Sequence, residues 1–555
     1  MKQRKYSTDD QINTLLNRVV EEVKEFAEAQ FQRIQSLTRI GIALSAEKDI
    51  NRLLELIVDE AMKFSNADAG TLYTLDEEAK CLRFEILKNL TLKTHMGGTS
   101  GIEVTLPPVP LEINGEKNFS NVSSYVALTG KIVNIPDVYE AEGFDFTGPK
   151  KYDAQTGYRS RSMLVVPMMD HNNEIIGVLQ LLNSRSPENG EIVAFSREYE
   201  QLIISLASQA AVALENAQLI QSLKDLFEAF IKSIATAIDE KSPYTGGHIR
   251  RVTELTMDLA RAVNETREGP LAQARFTEDE LEELRIAAWM HDVGKITTPE
   301  YVVDKSRKLE TIFDRIELVK TRFELAKQQI RLKMLESQLY QQQPGEASTS
   351  NQKQLEAEIQ RRCKELDDDF AFLEKCNKAE EYLEDSALQR LKEIAAKQVE
   401  INGHMVPLLT EEELKNLSIR KGTLTEEERK IIENHALMSY KILQQLPFPK
   451  KLSHVPEYAG GHHEKLDGTG YPFGLTAEKL PLQARIMALA DVFEALTAKD
   501  RPYKDPMKLS TAIQILEKMT HANHIDPDLY ELFIKKGLHL KYAQKELYPE
   551  QIDLD

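Results

Sequence analysis

Residues 289–300 read WMHDVGKITTPE and residues 460–472 read GGHHEKLDGTGYP. Three further stretches belong with them: YTGGHIRRV at 244–252, ENHALMSYKIL at 433–443 and RIMALADVFEAL at 485–496. Together they offer His248, His291, Asp292, His435, His462, His463 and Asp491. His248, His291, His435 and Asp491 stand beside apolar residues at helical spacing, which turns them toward the inner faces of helices. Charged and polar groups are costly to bury unless they are paired or bound to metal. Helix bundles build metal sites from side chains on facing helices. Neutral imidazole suits iron, manganese, nickel, copper or zinc, and a carboxylate can bridge two ions. This half of the chain is therefore read as an all-α bundle around a dinuclear metal site. His404, His454, His521, His524 and His539 lack such neighbours and are read as structural or surface residues.

Two residue sets sit next to that cluster. Lys295 follows His291 by four positions, so a continuous helix would put its ammonium on the same face. It is a candidate for stabilising transition-state charge or protonating a leaving oxygen, with a surface salt bridge as the alternative. DGTGYP has two glycines and a proline, so it is a shaped loop, the rim of a pocket. Tyr471 in that loop, with Arg501 and Lys504 in DRPYK, are the candidate substrate contacts; a solvated helix end is the alternative for the last two.

Working outward, residues 306–420 carry no chemistry-bearing cluster. Ile312, Ile316, Val319, Phe323, Ala326 and Ile330 alternate spacings of four and three. Leu355, Ile359, Cys363, Leu366, Phe370 and Leu373 nearly repeat the pattern. PGEASTSN lies between them, so the segment reads as an antiparallel helical hairpin with a coiled-coil seam, inserted between bundle parts at 241–305 and 421–545. Two ordinary helices packed on a core are the alternative.

The front half differs. An N-terminal helix (1–34) carries Leu15, Val19, Val23 and Phe26 as one apolar stripe. From 68 to 185 short β-rich runs such as SMLVVPM and IIGVLQLLN alternate with Gly, Pro and Asn. Asn172-Asn173 is a plausible hairpin turn. A helix at about 196–240 has no Gly or Pro to break it. Leu202, Leu206, Ala213, Ile220 and Leu223 suggest a face for pairing in a homodimer.

Composition limits the function classes. The chain has 555 residues, with 70 Lys and Arg against 89 Asp and Glu, a net charge of −19. A DNA-coating protein would be basic. The expectation is no DNA partner, no apolar run for membrane insertion, no secretory leader, and a cytoplasmic, reduced setting. Cys81, Cys363 and Cys376 form no CxxC pair.

Two resemblances follow. HDVGK with HHEKLDGTGYP resembles the HD-GYP group of HD-domain phosphohydrolases. YTGGHIRRV, TLTEEERKIIENHA, PLQARIMALADVFEALTAKDRPYK and IDPDLYELF support it. The resemblance implies metal-dependent hydrolysis of cyclic di-GMP. It puts metal ligands at His248, His291, Asp292, His435, His462 and Asp491, Asp292 bridging, with His463 a weaker candidate. Trimetal members carry Glu where this chain has Tyr244, which favours two divalent ions, iron, manganese or similar. A binding module that only senses the nucleotide, and hydrolysis of another cyclic dinucleotide such as cyclic GMP-AMP, are the alternatives. NIPDVY (134–139), DAQTGYRSRSMLVVPM (153–168), IIGVLQLLN and LASQAAVALENA (206–217) resemble a GAF sensory domain, an α+β fold, over 35–218. That implies a small ligand of unknown identity and regulation through a connecting helix at 219–240. Asn183, Phe195 and Glu200 match part of the signature of cyclic-nucleotide-binding members, but Ser184 and Tyr199 replace its Lys and Asp.

Overall fold

In the strand Met163–Met169, Leu164 and Val166 enter one apolar cluster and Met163 and Val165 another. Successive side chains of a strand point to opposite faces, so this sheet is covered on both. The computed structural model describes residues 9–241, 247–341, 349–379, 381–401, 403–499 and 506–554. It divides into two units, Met1–Leu226 and Phe227–Asp555.

The first unit is built on an eight-stranded sheet. Its main path runs Thr94–Gly97, Cys81–Asn89, Ala67–Asp76, Ile175–Arg185, Met163–Met169, Val133–Ile135. Each neighbouring pair is antiparallel. Asn173, between the strands Met163–Met169 and Ile175–Arg185, turns the chain at φ 62°, a conformation Asn tolerates. One face of the sheet packs on Ile57, Val58 and Ala61 of the helix Ile50–Ser65 and on Ile203, Leu206, Ala210 and Leu214 of the helix Arg197–Asp239. The other packs on Val122 and Val126 of the helix Val122–Thr129 and on Phe146.

The helix Arg197–Asp239 runs unbroken, as the missing Gly and Pro predict. One expectation about it needs correction. Leu206 and Ala213 are buried against the sheet and are not available for pairing with another chain. Among the described residues it is long and apolar enough to cross a membrane, with mean hydropathy 1.2 over its most apolar stretch, although the sequence suggested no such run. Its buried residues in the first unit make it a core helix there.

The second unit is mostly helical. The helices His248–Glu265, Glu278–Met290, Glu426–Leu443, Val455–Gly460, Leu482–Thr497 and Leu509–His521 contribute to one core, with Leu255, Leu284, Leu443, Val455, Leu489 and Leu516 inside it. The inserted segment has its own core. Its helices Ile316–Gln341 and Thr349–Lys378 pair antiparallel: Phe323 meets Phe370 with ring centroids 5.6 Å apart, and Lys327 reaches Asp367 at 2.6 Å. Val319, Phe323, Leu366 and Leu373 fill the seam as the spacing predicts. Ile312 does not; it precedes the helix and is 93% exposed. The segment is also more than a hairpin. It adds the helices Asp385–Ala395 and Glu411–Leu417 and a two-stranded ribbon, Gln398–Ile401 with His404–Pro407, where the sequence reading assigns no strand. Lys305 anchors its start, with Nζ 2.7 Å from Glu428 in the first turn of the helix that carries His435.

Candidate metal centre

The bundle brings the predicted groups together. His248 opens the helix His248–Glu265, and His291 caps the end of Glu278–Met290. His435 lies within Glu426–Leu443, His462 and His463 follow Val455–Gly460, and Asp491 lies within Leu482–Thr497. Asp292 is central. Its Oδ2 is 3.3 Å from His291 Nε2 and 3.6 Å from His248 Nε2, and its Oδ1 is 3.3 Å from His435 Nε2. Asp491 Oδ1 lies 3.3 Å from His248 Nε2 and 4.0 Å from His291 Nε2. The rings of His462 and His291 are 4.9 Å apart, and those of His435 and His463 are 5.0 Å apart. Within this cluster two sets of ligand atoms are close enough to share an ion: His248 with His291 and Asp292, and His435 with His462 and His463.

The hydrogen bonds fix which nitrogen faces inward. Nδ1 of His291, His435 and His462 bonds to the carbonyl three residues earlier, at Ala288, Ile432 and Ala459. Nδ1 must then carry the proton, which leaves the Nε2 lone pair facing the cluster. These three Nε2 atoms and Asp292 Oδ1 are buried with no hydrogen-bond partner. Buried polar atoms are normally satisfied, so four converging orphans fit a cation.

A GAF-domain profile matches residues 49–214, and HD-domain profiles match 245–367 and 367–529. The chain carries a GAF domain followed by an HD domain. The HD domain is similar to a 3'3'-cGAMP-specific phosphodiesterase of Vibrio cholerae, 40% identical over 24% of this chain and 28% of that protein. It is similar to a probable cyclic di-GMP phosphodiesterase of the same organism, 39% identical over 23% of this chain and 30% of that protein. A cyclic di-GMP phosphodiesterase of Thermotoga maritima is 36% identical over 21% of this chain and 31% of that protein. The chain spans less than a third of the length of each of these three relatives.

Electrostatics divide the candidate ligands of the HD domain into two groups. Burial dominates at His435, His462 and His463, holding all three toward the neutral form, His463 down to about 3. Burial also opposes charge on His248 and His291, but Glu494 with Asp292 and Asp491 at the first, and Asp292 at the second, outweigh it and raise both. Burial would raise Asp292, yet Lys295 and His291 hold it well below the usual carboxylate range. A divalent cation would take over this charge balance and release the imidazole protons.

Lys295 reaches the site by an unexpected route. The α-helix ends at Met290 and a 3-10 turn, Val293–Thr297, follows. Gly294 is the reason: a Cβ there would lie 2.0 Å from the His435 carbonyl oxygen, and its N–H donates to Ser439 Oγ at 2.8 Å. The tighter turn brings Lys295 Nζ to 2.5 Å from Asp292 Oδ2. Tyr471 stacks near His463, ring centroids 4.8 Å apart. Its loop is shaped by Glu464, 2% exposed, which accepts hydrogen bonds from the N–H groups of Phe473, Gly474 and Leu475. A Cβ on Gly470 would lie 2.4 Å from the Lys465 nitrogen, so only glycine fits that turn. Glu494, 1% exposed, binds His248 Nδ1 and Arg251 Nε. Sequence reasoning missed Glu464 and Glu494; for Glu494 the available signal was its offset of three from Asp491, which puts both on one face of the helix. Tyr244, Arg501 and Lys504 lie outside the described residues. His404, His454, His521, His524 and His539 belong to neither set of ligand atoms.

The GAF domain holds a cavity of about 300 Å³ lined by Tyr73, Phe84, Phe146, Tyr158, Met163 and Leu182 among others. Lys88 is the one basic residue on its described lining, and Asp59 and Glu55 bind its ammonium at 2.7 and 3.2 Å. Asn183, Phe195 and Glu200 do not line it. Asn183 instead ties Arg159 and Arg161 to the sheet, and Asn134 joins Phe195 to Glu200.

Proposed function

We propose that the HD domain is a metal-dependent phosphodiesterase that hydrolyses cyclic di-GMP, under control of the GAF domain. The observation that carries this is the set of four orphaned atoms, His291 Nε2, His435 Nε2, His462 Nε2 and Asp292 Oδ1, turned into one cluster. His248, His291 and Asp292 would hold one ion, His435, His462 and His463 a second, with Asp292 and Asp491 between them. Two bound ions would clamp the phosphate oxygens, acidify a water and offset charge in the transition state. Glu494 orients His248 by accepting its Nδ1 proton. Burial works against the Lys295 ammonium, but Asp292 outweighs it and raises its pKa, so Lys295 serves as a donor and a positive charge, not a base. Tyr471, on the loop held by Glu464, offers a ring at the rim for a substrate base, and Arg501 and Lys504 remain candidates for phosphate or guanine.

Cyclic GMP-AMP is the second reading, favoured by the 40% identity to a 3'3'-cGAMP-specific relative. The test is turnover of cyclic di-GMP and 3'3'-cGAMP by manganese- or iron-loaded full chain, with metal content measured. Turnover of neither by protein holding two ions per chain would sink the phosphodiesterase reading.

For the GAF cavity, aromatic walls without a free cation fit an uncharged small molecule better than an anionic cyclic nucleotide. We also infer a homodimer. Its face is Leu219, Leu223, Leu226 and Phe230, spaced four, three and four on the connecting helix and each more than half exposed.

A further inference from the structure

The end of the connecting helix holds two residues that the chemistry above does not use. The helix closes at Asp239, and Lys241 lies in the turn that follows. Lys241 Nζ donates to three main-chain carbonyls, those of Lys295, Ile296 and Thr298, at 2.9, 2.8 and 2.6 Å. An ammonium has three N–H bonds, so this accounts for all of them. The three carbonyls belong to the turn directly after Asp292. Two residues before Lys241, Asp239 is buried, 8% exposed, and its Oδ2 accepts the Gly247 N–H at 3.1 Å. Gly247 immediately precedes His248.

Two residues separated by a single position, Asp239 and Lys241, therefore hold both segments that would supply the first ligand set. Asp239 fixes the start of the His248 helix, and Lys241 fixes the exit of the His291–Asp292 segment. Satisfying the carbonyls does not by itself require a lysine. Ile296 is 62% exposed, so water has access to this turn. Ordering a lysine stem costs up to about 2 kcal/mol of rotamer freedom, and what the side chain adds over water is a fixed distance. Groups that orient metal ligands act in this way, by restricting where the ligand atoms can be.

We propose that Asp239 and Lys241 are positioning residues of the metal centre, through which the end of the connecting helix sets the spacing between His248 and Asp292. The inference rests on the reading of this cluster as a metal-dependent phosphodiesterase site. A displacement of the helix end by a fraction of an ångström would then reach both ligand segments at once.

The test uses the full chain and four variants. Lys241→Met keeps the stem and removes the donors, and Lys241→Arg keeps a cation with several donors. Asp239→Asn weakens the acceptor at nearly constant shape. Lys232→Met is the control, on the same helix, half exposed and 3.6 Å from Glu228. Manganese affinity is read from the paramagnetic resonance of free ion, alongside kcat and KM for cyclic di-GMP and the thermal midpoint. The expected result for Lys241→Met is at least a tenfold loss in manganese affinity and in kcat, with KM within threefold. Lys241→Arg should recover both to within threefold, Asp239→Asn should weaken manganese binding at least threefold, and Lys232→Met should stay within twofold. Lys241→Met that binds manganese within twofold of the parent overturns the proposal. So does Lys241→Arg that falls as far as Lys241→Met with the same loss of thermal midpoint, which is the behaviour of a simple cap. If no protein turns over cyclic di-GMP while Lys241→Met still loosens manganese, the positioning role stands and the phosphodiesterase reading falls.

Discussion

The GAF cavity and the HD-domain cluster are two interior sites built on opposite principles. The cavity is walled largely by aromatic and aliphatic side chains, with Asn121, Ser123, Asp145 and Gln180 among its polar lining, and the one lysine on its described lining is held by Asp59 and Glu55. The cluster is walled by imidazoles and carboxylates, four of whose atoms have no hydrogen-bond partner. A site of the second kind declares the class of its ligand, because a buried polar atom without a partner costs about 1–3 kcal/mol and must be compensated. A site of the first kind is chemically complete without a ligand. It limits size and charge but names nothing.

The strongest attempt to break this contrast is Asp292→Ala. It removes the carboxylate that faces His248, His291 and His435 at once. Metal content and turnover should fall together, by more than the roughly 10–100-fold typical of losing an outer partner. Full metal content in that variant would mean that the orphaned atoms do not mark a cation site. Glu494→Gln should show the outer-partner size itself, about 10–100-fold in metal affinity, measured by chelator competition. An unchanged affinity would make the Glu494 contact to His248 structural only.

The cavity side is tested by stability. Leu164→Ala, on the packed face of the sheet, should cost about 2–5 kcal/mol in the unfolding transition of the first unit. Met163→Ala, one residue away on the cavity wall, should cost less, because space already exists beside it and fewer contacts are lost. Equal costs, measured by denaturant titration, would show that the cavity closes in solution. Neither should change metal content. Coupling between the domains gives a smaller effect. A ligand with tenfold preference for one of two conformations would supply only about 1.4 kcal/mol. Two glycines inserted after Gln221 should abolish any change in turnover caused by an uncharged cavity ligand while leaving basal metal content intact. Regulation that survives the insertion would rule out the helix as its route. The smallest effect is His404→Ala, an exposed residue of the inserted ribbon, where metal and turnover should stay as they are.

How far each site could be read from sequence follows the same contrast. His291-Asp292 and His462-His463 stand out because those residue types are seldom buried in adjacent pairs without a purpose. Tyr73, Phe84 and Met163 are ordinary core residues, and nothing in their order separates a cavity wall from packed interior. Glu464, Glu494, Asp239 and Lys241 were missed for another reason. A charged residue at a helix end or in a loop reads as solvated, and only packing reveals that Glu494 is 1% exposed or that Lys241 spans to Lys295. The expected pairing face includes Leu206 and Ala213, which the sheet covers, because helical periodicity gives the angle between side chains but not which side meets the sheet.

The sequence by itself determined the chemistry of this protein: which residues can ligate a cation, where helices run without interruption, and where a strand alternates between two faces. These are properties of residue type and of spacing along a few turns. The tertiary structure alone decided distances between positions far apart in the chain. It put Asp292 beside His435 across the inserted segment, turned Lys295 inward by pressing Gly294 against the His435 carbonyl, and tied Lys241 to the turn that follows Asp292. Those distances come from how helices fill a shared core, and no local pattern carries that information.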